Sequence, residues 1–92
     1  MLFTKYLRDG VRSGAITRSV RVWMNPRVKA GKRYAFEGGE IEIDSIVPIA
    51  MHDITAKLAR ECGFKTVEDL LKVAKHGRGE NVYLIDFHYV PR

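Results

Sequence analysis

Strict alternation from Ile16 to Trp23 constrains this chain more than any other stretch. The segment reads I-T-R-S-V-R-V-W, a period of two that fits a half-buried β-strand and no helix. Ile16, Val20 and Val22 share one side with Arg18. Thr17, Ser19, Arg21 and Trp23 share the other. The first set reads as a core face. The second places two hydroxyls, a guanidinium and an indole in one row, which suits a ligand.

The surroundings of that strand are basic. Residues 1–33 hold nine Lys/Arg against one acid, Asp9, a net of +8, whereas the other 59 residues carry a net of −3. A small chain with one concentrated basic lobe points to an anionic partner, and RNA or another single-stranded nucleic acid fits best. Its 92 residues suffice for one domain, 1–92, and 46% hydrophobic residues support a packed core. No apolar run reaches the ~18–20 residues of a membrane span, and Lys5 and Arg8 break any secretory core at the start. The single cysteine, Cys62, rules out a disulfide framework. The expectation is a cytoplasmic protein without membrane contact.

Around the strand the chain reads as follows. Phe3, Leu7 and Val11 form the stripe of a short helix, with Lys5, Arg8 and Arg12 on a basic face and Gly14 as its C-cap. Asn25-Pro26 opens a loop that carries Arg27, Lys29, Lys32 and Arg33. Gly38-Gly39 signals a hairpin. Its return strand, Glu40 to Ile46, alternates acid with isoleucine until Pro48 limits the pairing. Helices are expected over 53–62 and 67–76, the second capped by Thr66 and closed by Gly77. Residues 81–90 form a last, aromatic-rich strand whose Tyr83, Phe87 and Tyr89, like Tyr34, belong to the core. The class is α+β, mainly β. Few strands, many turns and strand aromatics suit a small, partly closed barrel with helices over its openings.

Several motifs together resemble the ASCH domain of the PUA-like superfamily. Gly14-x-x-Thr17-x-Ser19-x-Arg21 is similar to its G-x-K-x-x-[ET]-x-R signature, Val28 to Tyr34 to its V-K-x-G-D-x-V turn, and Val82 to Phe87 to its closing strand. The resemblance implies a pseudo-barrel of five to six strands with flanking helices and an RNA cleft. It also implies an alternative, since some members hydrolyse N(4)-acetylcytidine with a lysine, a threonine and a glutamate. Here Ser19 stands at the hydroxyl position, Glu61 approximates the glutamate position, which Cys62 fits equally well in register, and Ile16 occupies the lysine position.

Groove cations and flat side chains are what single-stranded RNA needs. The residues expected to bind it are Arg12, Thr17, Arg18, Ser19, Arg21, Trp23, Arg27, Lys29, Lys32 and Arg33. The turn Lys75-His76-Gly77-Arg78-Gly79 adds basic character, but its G-x-G follows a helix and is no dinucleotide fingerprint. An amidase would need a base beside its nucleophile; Ile16 removes it, and Arg18 stays protonated. No cofactor is expected. No metal is expected either, because His52, His76 and His88 lack ligand spacing. Asp86 and His88 share a strand face, most simply as an exposed pair. A protein partner on the acidic strand Glu40–Asp44 or the helix 54–62 is the remaining class.

Overall fold

A computed structural model of the chain describes residues 3–75 and 79–92. Its centre is one antiparallel sheet of four strands, β1 (Arg18–Trp23), β2 (Arg33–Phe36), β3 (Gly39–Ile49) and β4 (Asn81–Pro91), in the order β1-β4-β3-β2. Three helices accompany it: α1 (Lys5–Ser13), α2 (Ala56–Glu61) and α3 (Val67–Ala74). The architecture is therefore α+β. Five to six strands were expected; four are present among the described residues, with β1 and β2 at opposite edges of the sheet.

The longest strands make the floor of the core. Residues directly opposite in an antiparallel pair share a face, so the register sorts the sheet. Ser19 lies opposite Ile85 and Arg21 opposite Tyr83; Ile41 lies opposite Tyr89 and Ile43 opposite Phe87. Ile41, Ile43, Ile85 and Phe87 are almost wholly buried. Phe3, just before α1, seats its ring on this face, 5.4 Å from Phe87 and 5.6 Å from Phe36. Helix α1 ends as its sequence dictates, with Gly14 left-handed at φ 86° and its amide donating to Val11 O.

The acid-and-isoleucine alternation of β3 holds, with Ile41 and Ile43 buried and Asp44 exposed. The strand does not stop at Pro48 but continues to Ile49. The β2 ladder ends at Arg33–Glu42, so Pro48 sits where β3 has only β4 beside it, a place that tolerates a residue without an amide proton.

The helix pair is shorter than its pattern suggests. Met51–Asp53 is a 3-10 turn, and Thr55 begins α2 by accepting a hydrogen bond from Leu58 N at 3.1 Å. Thr66 caps α3 in the same way through Asp69 N. Past α3, Lys75 is already extended and forms a parallel bridge with Val22. The free edge of β1 is thus partly covered. The expected end of this helix, His76, and its stop, Gly77, lie outside the described residues. No helix among the described residues is long and apolar enough to cross a membrane.

Candidate nucleic-acid interface

The alternation of β1 is real, but its polar row faces the interior. Ser19, Arg21 and Trp23 are 7%, 6% and 3% exposed, and Val20 and Val22 on the other face are 3% exposed each. The strand is covered on both sides, so its period of two marks two buried faces rather than a core and a ligand face. Only Thr17, just before β1, is exposed; its carbonyl accepts from Phe87 N at 3.0 Å.

Arg21 is built into the core. Its Nε donates to Ser19 Oγ at 3.0 Å, and the guanidinium stands 5.1 Å from the centre of the Phe3 ring. Desolvation pulls its pKa down to about 10, so it remains charged at neutral pH. An arginine there fixes Phe3, Ser19 and the start of α1 against β1. It does not offer its fork to a base.

Trp23 is likewise no stacking platform. Its ring packs 6.2 Å from Tyr83. Gly79 comes so close to the Trp23 backbone that a Cβ there would lie 2.3 Å from Trp23 C. The cation above the indole is Arg27, at 6.0 Å, and not Arg21.

Several other expected contacts are consumed within the protein. Arg12 pairs with Asp9 at 2.7 Å. Arg18 pairs with Asp86 at 2.7 Å and with Glu61 at 3.6 Å, and the Asp86 hydrogen bond and charge raise its pKa. Arg33 holds Glu42 at 2.9 Å and Glu40 at 3.9 Å. Arg8, on the basic face of α1, reaches Glu37 at 3.4 Å. Of the nine cations in residues 1–33, four remain exposed with no ion pair among the described residues: Lys5, Arg27, Lys29 and Lys32.

Three of these four sit on a braced loop. Val28 anchors it at 3% exposure, Lys29 N donates to Tyr34 Oη at 3.0 Å, and Gly31 N donates to Ile43 O at 2.7 Å. Gly31 takes φ 82° to make that turn. The loop enters β2 at Arg33, whereas Arg8 and Glu37 mark the far end of β2. Arg8 thus meets the turn after β2, whereas the loop cations precede β2.

Helix α1 holds the residue that periodicity overlooked. Tyr6 is 66% exposed, the largest value among the exposed large hydrophobic residues, and its ring meets Phe64 edge-on at 6.3 Å. With Lys5, Arg8, Asp9 and Glu37 it lines an open groove of about 560 Å³. The only sequence signal for Tyr6 is its place off the Phe3-Leu7-Val11 stripe, beside Lys5.

The residues of the amidase alternative are not brought together. Ser19 points into the core and accepts from Arg21, while Glu61 meets Arg18, the neighbour that points to the opposite face of β1. Ile16 wedges between α1 and the turn after α2, where a Cβ on Gly10 or Gly63 would come within 2.6 and 2.7 Å of its Cδ1.

One grouping of titratable side chains was not anticipated. Glu42, Asp44 and His88, from β3 and β4, present donor atoms within 4.8 Å of one another. Comparing histidines only with each other could not find it, because both carboxylates come from a neighbouring strand. No protein-family model matches the chain, and neither a curated protein nor a solved structure does.

Proposed function

We propose that this chain is a small module that binds single-stranded RNA along the edge formed by α1, β2 and the loop before it. The observation that carries the reading is Tyr6, an exposed aromatic flanked by Lys5 and Arg8 over an open groove. A solvent-facing ring costs hydrophobic free energy unless something covers it, and a base is a flat partner of the right size. The loop cations Arg27, Lys29 and Lys32 then supply phosphate contacts.

The ASCH-type resemblance is part of this proposal, as is its partly closed PUA-like barrel. The four-stranded antiparallel sheet and the parallel bridge from Lys75 to the edge of β1 are compatible with it. Within that resemblance binding is favoured over amide hydrolysis, because Ile16 is a packing residue and Ser19 is committed to Arg21.

Fluorescence titration of a short, labelled single-stranded RNA tests the reading. Tyr6→Ala is expected to weaken binding by about 1–3 kcal/mol, the usual worth of one stacked base. Binding unchanged by that substitution would remove Tyr6 from the interface and the proposal with it.

A further inference from the structure

Asp44 is one residue too many in β3. Ile43 lies opposite Phe87 and Ser45 opposite Asp86, so the ladder with β4 skips position 44. Such a bulge re-aims a side chain, and here it turns the Asp44 carboxylate onto His88, with Nδ1 at 2.9 and 3.0 Å from its two oxygens. Glu42 stands directly opposite His88, with Oε2 3.7 Å from Nε2. Arg33 Nε donates to the other Glu42 oxygen, Oε1, at 2.9 Å. That bond holds Oε2 toward the imidazole. Asp86, on the same face two residues before His88, takes no part, because Arg18 and Ser45 occupy its oxygens.

The three groups are two carboxylates and an imidazole. The imidazole meets Asp44 through Nδ1 and Glu42 through Nε2, and it can donate to both only when protonated. An ion accepts from all three at once. Zinc takes carboxylate oxygens and imidazole nitrogens at about 2.0–2.2 Å, which sets neighbouring donors roughly 3–3.5 Å apart. Asp44 and His88 already stand near that separation. Glu42 completes a set of one donor atom per residue that lie within 4.8 Å of one another. All three side chains are partly exposed, at 30%, 48% and 46% for Glu42, Asp44 and His88, so water has access to the remaining coordination positions.

We propose that Glu42, Asp44 and His88 form a three-ligand site for a divalent transition ion of the zinc type, completed by water. This inference is independent of the RNA reading, because it uses none of the residues placed at that interface.

The experiment uses the tag-free full chain, stripped with chelator and titrated calorimetrically with Zn²⁺, with Co²⁺ as a spectroscopic probe of the ligand set. The background is His52→Ala/His76→Ala, which leaves His88 as the sole histidine. One ion per chain is expected, with His88 ring resonances shifting on addition of Zn²⁺. In this background, His88→Ala and Asp44→Asn should each weaken binding at least tenfold. Both positions are partly exposed and outside the core, and circular dichroism checks that each variant keeps its fold. Absence of saturable one-to-one binding would overturn the proposal. So would a His88→Ala protein that binds Zn²⁺ as tightly as its parent.

Discussion

Arg21 keeps its charge at 6% exposure, and that has a measurable consequence. Lysine in its place has the charge without the planar fork, so it cannot reproduce both the bond to Ser19 and the position over Phe3. A hydrogen bond from a charged group is worth about 1.5–3 kcal/mol. Arg21→Lys is expected to lose that much stability in urea denaturation. A change below ~0.5 kcal/mol would show that the core is indifferent to the fork. Cys62 offers a second check. Burial pushes its thiol from 9.0 up to about 11, against the smaller pull of a hydrogen bond from the Val20 backbone and the Arg18 charge. The folded state therefore holds its proton longer than the unfolded one. This contribution to stability is complete below pH ~9 and fades as pH rises through ~11. At pH 8 the same rise lowers the thiolate fraction about 100-fold. Alkylation should be slower by at least that factor in native protein than in urea, and equal rates would refute the burial of the thiol.

At the scale of elements, the β2–β3 hairpin shows what the sequence discloses and what it hides. Gly38-Gly39 signals a turn, and the turn is there, yet its two loop residues are Glu37 and Gly38. Both take positive φ, 42° and 75°, as a type I′ turn requires. Gly39 belongs to β3 for a different reason: a Cβ would lie 2.5 Å from Val90 O and 2.6 Å from Tyr89 Oη. A non-glycine residue at positive φ costs on the order of 1 kcal/mol or more, and asparagine tolerates it best. Glu37→Asn forfeits the exposed pair with Arg8, worth at most ~1 kcal/mol. A net gain of about 0.5–1 kcal/mol is expected, read as a higher melting temperature; a lower one would mean that the pair outweighs the strain. Local signals of this kind, with the Gly14 and Thr66 caps and the Ile41–Ile43 alternation, were legible because each depends on residues a few positions apart. The orientation of β1 was not. Which face of Ser19-Val20-Arg21-Val22-Trp23 meets the core depends on β4 and Phe3, and an alternating pattern cannot say that both faces are covered. The Glu42–Asp44–His88 grouping was hidden for the same reason, since it needs the register of two strands and a bulge.

For the whole molecule, the distribution of free charge matters more than its total. A lobe with a net of +8 over residues 1–33 suggests many phosphate contacts, but Arg8, Arg12, Arg18 and Arg33 are spent on internal acids and Arg21 is buried. Lys5 and the loop cations Arg27, Lys29 and Lys32 are left to meet phosphates. Three to four such contacts on a single strand, at roughly 0.7 each, give a log–log salt slope of about −2 to −3 for RNA affinity. Arg27→Ala, Lys29→Ala and Lys32→Ala together should flatten that slope by about two. The loop should keep its shape, because Val28, Tyr34 and Gly31 brace it. Tyr6→Ala should behave differently: stacking displaces no counterions, so affinity falls by the same factor at every salt concentration and the slope stays put. Titrations at four or more salt concentrations separate the two contributions. A parent slope near zero would mean that the loop cations meet only water, and a Tyr6→Ala deficit that vanished at high salt would mean that the ring merely positions Lys5.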